Sequence, residues 1–135
     1  MTPTLEEIRD YFASDFSQCP HQIDAVGQGT ATVRESVTDD HLRPGGTVSG
    51  PVMMSIADCA MYAAIFTVVG ITPLAVTTSL NINFLRRPAA GVDVLGKCKL
   101  LKVGKKLVIG EVFIYSEGME DPVAHATATY ALPPG

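Results

Sequence analysis

One carboxylate lies in the middle of the longest apolar stretch of the sequence. Asp58 falls within residues 52–69, whose other members are almost all aliphatic, aromatic or sulfur-containing. Apolar residues on every side predict a helix surrounded by protein, and no position one turn from Asp58 holds a cation. A buried acid without an ionic partner is typical of a general base or a nucleophile. The alternative is a structural Asp58 that accepts hydrogen bonds from Thr or Asn side chains of a sheet.

The second feature that could do chemistry is the glycine-containing turn at residues 45–51, immediately before this stretch. Pro51 suits the first position of a helix, Ser49 or Gly50 can serve as its cap, and Gly70 can end it. Free N–H groups at a helix N-terminus, that of Gly50 among them, can hold the negative oxygen that develops when a carbonyl is attacked. The alternative is a plain turn and helix cap.

The spacing of these two features limits how they can act together. Gly50 and Asp58 are separated by eight residues of helix, or about 12 Å at about 1.5 Å per residue. One reacting carbonyl cannot contact both, because a hydrogen bond reaches only about 3 Å. Two copies of the chain with antiparallel helices could bring Gly50 of one copy beside Asp58 of the other. An enzymatic role therefore predicts a homodimer, which could pair further into a homotetramer.

The remaining segments predict an α+β fold. Residues 3–16 have the spacing of an amphipathic N-terminal helix, and residues 38–46 are typical of a loop. Alternation with period two predicts strands at residues 75–85, 92–103, 107–116 and 123–132, and extended structure broken by Gly27 and Gly29 at residues 22–37. Small alanines on one face of the last strand favour close packing of the central helix there. We expect one domain, residues 1–135, with an antiparallel sheet of about five strands wrapped around one long helix.

Within the strand at residues 75–85, the alternation places four polar residues on one face. We expect this face at a subunit seam; its members are Thr77, Ser79, Asn81 and Asn83.

Composition narrows the classes of function. With 47% hydrophobic residues the chain is apolar for its length, which favours coverage by another subunit, and its net charge of −4 argues against general binding to nucleic acids or anionic membranes. Three widely spaced cysteines and an acidic N-terminus without a signal peptide fit the cytoplasm, with Cys59 as core filler. Asp39, Asp40 and His41 offer too few ligands at suitable spacing, so we expect no metal site.

The residues singled out above carry a resemblance. Residues 46–51, followed by Asp58 and by the strand segment at residues 80–86, resemble the hotdog-fold acyl-CoA thioesterases of the phenylacetyl-CoA thioesterase-like (PaaI-like) subgroup. The similarity extends over about residues 37–132. In that family a His-Gly-Gly turn opens the central helix, and an acid follows nine residues after the His. Ser49 occupies the position of the His, Gly50 that of the first Gly and Asp58 that of the acid.

The resemblance implies hydrolysis of acyl-CoA thioesters to a free acid and CoA, without a cofactor. The Gly50 N–H would polarise the thioester carbonyl, and Asp58 of the partner subunit would activate water or attack directly. The family also places a Ser or Thr of the following strand at the site, here Thr77. The resemblance and the positions of other residues suggest further substrate contacts. These are Arg43, Ser49, Met54, Asn81, Arg86, Arg87 and Lys105.

Two departures from the family pattern bear on substrate orientation. Ser49 and Pro51 replace the usual His and second Gly, and Arg43 stands where a neutral amide is common. The basic residues Arg86, Arg87 and Lys105 would meet the CoA phosphates, with ordinary solvated cations as the alternative.

Two other functions remain open from the sequence. A non-catalytic acyl-CoA binding protein would keep the pocket and the basic residues without needing Asp58. A hotdog dehydratase or hydratase would need an Asp and a His placed together on a hydratase-like motif, which the sequence lacks, and the single acid of the central helix suits hydrolysis.

Overall fold

The computed structural model describes residues 2–16, 19, 21–38, 42–43, 47–89 and 91–134, without the side chains of Arg43 and Thr47. It has the α+β architecture that the sequence predicts. The two helices are α1 (Leu5–Asp15) and α2 (Gly50–Val69). The eight strands are β1 (Gln22–Gly27), β2 (Thr30–Glu35), β3 (Leu42–Arg43), β4 (Thr47–Val48), β5 (Val76–Phe84), β6 (Val94–Val103), β7 (Leu107–Ser116) and β8 (Ala124–Ala131).

Six of these strands form one antiparallel sheet in the order β1-β2-β6-β7-β8-β5, which makes β1 and β5 its edges. The predicted number of about five is one too few, because residues 22–37 contain two strands. The chain reverses at Gln28 and Gly29, and Gly29 has a φ of 71°, which glycine adopts without steric cost. The two glycines that interrupt the pattern therefore mark a hairpin.

The predicted loop at residues 38–46 is partly wrong. Leu42–Arg43 pairs with Thr47–Val48 in a short antiparallel ladder beside the main sheet. Two residues on each side are too few to show an alternating pattern in the sequence. The glycines at the turn between these strands lie outside the described residues.

Helix α2 begins and ends at residues that the sequence indicates. Ser49 is the N-cap, a proline occupies the first turn, and Gly70 ends the helix with a φ of 88°. The alanines at 124, 126 and 128 of β8 are buried as predicted, but α2 packs mainly against β6 and β2. By length and composition α2 could span a membrane, but 67% of the relevant window is buried inside the protein, which is typical of a core helix.

Helix α1 packs over the C-terminal half of α2. Thr4 and Glu7 form a reciprocal capping box at its start, and Ile8 and Phe12 are buried. The hydroxyl groups of Tyr11 and Tyr62 lie 3.0 Å apart, linking α1 to α2 beside Asp58. This contact places α1 along one wall of the site described next.

Candidate functional site

Asp58 is half-buried and is held by two hydroxyl groups from the sheet. Thr77 Oγ1 donates to Asp58 Oδ1 at 2.6 Å, and the Tyr130 hydroxyl donates to the same oxygen at 2.7 Å. Among the described residues, none donates a hydrogen bond to Asp58 Oδ2. The structure therefore brings together Asp58 and Thr77, two of the predicted site residues. The prediction of apolar surroundings for the carboxylate is partly wrong, because two hydroxyl groups contact it.

A β-bulge turns Thr77 toward Asp58. The pairing of β5 with β8 shifts between Thr77 and Ser79, which leaves Thr78 as the extra residue. Thr77 consequently lies opposite Tyr130, on the sheet face that packs against α2, whereas simple alternation assigns it to the other face with Ser79 and Asn81. The prediction that Thr77 belongs to the polar outer face is wrong for this reason.

Tyr130 is a site residue that the sequence analysis missed. Its side chain is buried, and its hydroxyl also donates to the Asp58 carbonyl at 3.0 Å. Burial, followed by the negative charge of Asp58, raises the pKa of Tyr130 well above its usual value, so the phenol stays protonated as a donor. One feature of the sequence indicates its position: Tyr130 continues the alternate positions of the last strand that hold the buried alanines, so it lies on the face that packs against the helix.

An open cleft of about 540 Å³ leads to Asp58. Its walls come from α1, α2, the start of β5 with the segment before it, and β8. They comprise Tyr11, Asp15, Phe16, Asp58, Tyr62, Pro73, Ala75, Val76, Thr77 and Tyr130. The cleft therefore combines aromatic walls with one hydrogen-bonded carboxylate at its edge, which suits an apolar ligand carrying a reactive polar group.

The N-terminus of α2 forms a separate part of the site. Ser49 makes no side-chain cap hydrogen bond, and a Cβ added to Gly50 would lie 3.1 Å from Phe84 Cζ. Phe84 is the last residue of β5, whereas Thr77 lies near its start. Gly50 and Asp58 are thus directed to opposite ends of β5, and one chain does not bring them together.

Met54 and Asn81, two other predicted substrate contacts, lie in different places relative to Asp58. Met54 is 39% exposed and lies midway between Gly50 and Asp58 on the same face of α2. Asn81 pairs with Thr127 on the face of the sheet that points away from α2, so it does not join Asp58 within the chain. The side chain of Arg43 lies outside the described part of the structure, as do Asp39, Asp40 and His41.

The three predicted phosphate contacts do not form one cluster within a chain. Arg86 and Arg87 are exposed after β5, and the Arg86 guanidinium donates to the Pro122 carbonyl. Lys105 lies in the turn between β6 and β7, close to the opposite end of β8. Because β8 is eight residues long, about 23 Å separates its ends.

A second polar cluster joins the segment before β1 to α2, and it was also missed. Cys59 is buried in the core as predicted, but it also forms a disulfide with Cys19, which the prediction missed. His21 Nδ1 lies 2.9 Å from Glu35 Oε2, and His21 Nε2 lies 2.8 Å from Ser55 Oγ. The two cysteines are 40 residues apart in sequence, a separation at which local patterns carry no information on pairing.

Comparisons with known proteins agree with this arrangement. A family model described as the thioesterase superfamily matches residues 45–123. A candidate thioesterase from Silicibacter has 44% identity and a TM-score of 0.90, over 97% of this chain and 92% of that chain. A point mutant of the phenylacetic acid degradation protein PaaI from Thermus thermophilus has 26% identity and a TM-score of 0.73, over 84% of this chain and 93% of that chain.

A protein from Streptococcus mutans, solved with acetyl-CoA bound, shares the fold at 20% identity with a TM-score of 0.73, over 84% of this chain and 88% of that chain. Among curated proteins, none matches the sequence.

Proposed function

Because the chain belongs to the thioesterase superfamily and has the hotdog fold of PaaI-like thioesterases, we propose that it hydrolyses acyl-CoA thioesters at sites shared between two copies. The observation that carries the proposal is the position of Asp58. This carboxylate is held on one oxygen by Thr77 and Tyr130, at the edge of an open cleft. A carboxylate fixed in this way can attack a thioester carbonyl or take a proton from the water that attacks it.

Within the described part of the chain, the two hydrogen bonds to Asp58 go to one carboxylate oxygen and leave the other available for chemistry. Thr77 and Tyr130 both donate to Oδ1, so Oδ2 can face a water molecule or a thioester carbonyl carbon. As a general base, Oδ2 takes a proton from water while the water oxygen attacks the carbonyl and the CoA thiolate leaves. As a nucleophile, Oδ2 attacks the thioester carbonyl, the C–S bond breaks and CoA leaves as its thiolate; water then hydrolyses the resulting anhydride and frees both Asp58 and the acid. In both routes Thr77 and Tyr130 orient the carboxylate.

The N-terminus of α2 supplies the complementary half of the mechanism. The N–H of Gly50 lies in the first turn, where the helix provides no carbonyl partner for it. The dipole of a 20-residue helix also favours negative charge at this end. Gly50 is therefore suited to hold the oxyanion that forms when the carbonyl is attacked.

A dimer across β5 would unite these halves. This edge strand is nine residues long, and exposed apolar side chains lie along and beside it, including Val76, Phe84 and Leu85. Long edge strands with apolar surroundings are typical sites of pairing with another chain. Antiparallel pairing of two copies of β5 around a two-fold axis would direct the α2 helices in opposite senses, with Gly50 of one copy toward Asp58 of the other.

The same dimer would bring together the basic residues that lie at opposite ends of β8 in one chain. Arg86 and Arg87 lie at the Gly50 end of their chain, and Lys105 lies toward the Asp58 end. In an antiparallel pair, Lys105 from one copy approaches the arginines of the other. These cations suit the phosphates of CoA, and the acetyl-CoA-bound Streptococcus mutans protein is an example of a CoA thioester held by this fold.

Thiol release from a panel of short, medium, long and aromatic acyl-CoAs tests the proposed activity directly. We expect turnover of at least one class, because the cleft beside Asp58 has aromatic walls. Saturable binding of acyl-CoA without release of CoA would instead support a non-catalytic binding protein. That second function is favoured by one observation, namely that Asp58 makes the hydrogen bonds expected of a structural acid.

Replacing both Arg86 and Arg87 with alanine is expected to raise KM for acyl-CoA about tenfold with little change in kcat. The CoA phosphates are contacted equally in the ground state and the transition state, so their loss weakens binding without slowing the chemical step. The matched control replaces Lys97 and Lys99, which removes the same charge from the outer face of β6. Equal KM values for the arginine variant and the wild type would refute this role.

A further inference from the structure

We propose that Cys19, His21 and Cys59 bind a zinc ion when the two cysteines are reduced. All three side chains are buried, and their potential ligand atoms lie within 4.8 Å of one another. Two ligands that each lie about 2.3 Å from one ion are at most about 4.6 Å apart. The side chains therefore need only small adjustments to surround one ion.

His21 is already oriented as a metal ligand. Its Nδ1 lies 2.9 Å from Glu35 Oε2, so the ring can donate a proton to this carboxylate and keep Nε2 deprotonated. Hydrogen bonding of a histidine to a carboxylate in this way is typical of zinc sites, where it fixes the tautomer and the direction of the ring. Nε2 accepts a hydrogen bond from the Ser55 hydroxyl at 2.8 Å, and an ion bound to Nε2 would replace this hydroxyl, which turns to another rotamer.

The charges and the softness of the ligands select the ion. Two thiolates neutralise one divalent cation, so the ion and its sulfur ligands add no net charge to the core. Thiolate and imidazole together favour zinc, whereas Mg²⁺ and Ca²⁺ prefer oxygen ligands. The Cα atoms of Cys19 and Cys59 are 6.6 Å apart, so the sulfur atoms can separate after reduction without displacing α2.

Zinc and the disulfide exclude each other. A thiol reductant supplies two electrons and two protons to the Cys19–Cys59 bond and is itself oxidised to a disulfide, which leaves two thiols. Zinc then displaces both protons as the sulfurs become thiolate ligands. Because Cys59 follows Asp58 on α2, both forms tie the segment before β1 to the helix that carries the proposed catalytic acid.

The test measures zinc per chain by elemental analysis after reduction, anaerobic incubation with zinc and desalting. We expect one zinc in the reduced wild type and in Cys98→Ser, whose replaced cysteine is buried away from the cluster. We expect none in Cys59→Ser, in His21→Asn or in the oxidised wild type. Because the oxidised and reduced wild types share one sequence, their comparison holds even if a variant does not fold.

Cobalt provides a second measurement that reports the ligands themselves. With cobalt in place of zinc, the reduced wild type should show the thiolate-to-cobalt charge-transfer absorption of a tetrahedral site with two cysteine ligands. Cys59→Ser keeps only one of these cysteines and should lack this absorption. Equal zinc content in the reduced and oxidised wild types, or a cobalt spectrum unchanged by Cys59→Ser, would overturn the proposal.

Discussion

Asp58→Asn is expected to lower kcat for acyl-CoA hydrolysis by a factor of about 10² to 10⁴ while leaving the melting temperature near that of the wild type. The amide cannot take a proton from water or attack a carbonyl. Its oxygen can still accept the hydrogen bonds that Thr77 and Tyr130 donate to Oδ1, so the fold should be retained. Steady-state thiol release and thermal unfolding are measured on the same preparation.

Asp15→Asn is the matched control, because Asp15 lines the same cleft, whereas the hydrogen bonds that Thr77 and Tyr130 donate to a carboxylate in the described part of the chain go to Asp58. It should lose little activity. A purely structural Asp58 gives the opposite order of effects, in which the amide lowers the free energy of unfolding by about 1 to 3 kcal/mol and the folded fraction retains normal turnover. Normal turnover in Asp58→Asn would remove Asp58 from the mechanism.

Gly50→Pro is expected to lower kcat by a factor of about 10² to 10³, the usual cost of losing one oxyanion donor. Proline removes the backbone N–H, and it is tolerated in the first turn of a helix, where that N–H has no helical partner. Helix α2 should therefore persist, which circular dichroism can check. Hydrolysis kinetics then report the loss of the donor.

Gly50→Ala separates the lost N–H from the added bulk. Alanine keeps the donor, and its Cβ would lie 3.1 Å from Phe84 Cζ, so the ring must move by a few tenths of an ångström. This variant should retain most of the activity. If alanine and proline lower kcat equally, crowding against Phe84 explains the effect and the N–H has no role.

Much of the fold could be predicted because its signals are local. Helix α2 ends at Gly70 as expected, because glycine adopts the positive φ found there. Strand β7 has the predicted bounds, because glycine-containing turns at residues 103–106 and 117–122 flank it. Gly27 and Gly29 predict a break in the extended segment at residues 22–37, but they do not by themselves distinguish an irregular strand from the hairpin that is found. The position of Thr77 was assigned to the wrong face because alternation assumes a ladder without bulges.

The composition of the site was less predictable because its contacts are long-range. Asp58 and Tyr130 are 72 residues apart, and Cys19 and Cys59 are 40 apart, so no local period links the members of either pair. Lys105 was grouped with Arg86 and Arg87 because all three lie near strand ends. The antiparallel pairing of β5, β8 and β7 places the two arginines near one end of β8 and Lys105 near the other.

A heterodimer of Asp58→Asn and Gly50→Pro chains tests most directly whether the site is shared between copies. The two chains are co-expressed with different affinity tags, and the mixed dimer is isolated by two successive purifications. One of its two sites combines an intact Gly50 with an intact Asp58, so activity should return to about half that of the wild-type dimer. Activity no higher than the mean of the two parent homodimers would contradict the shared site.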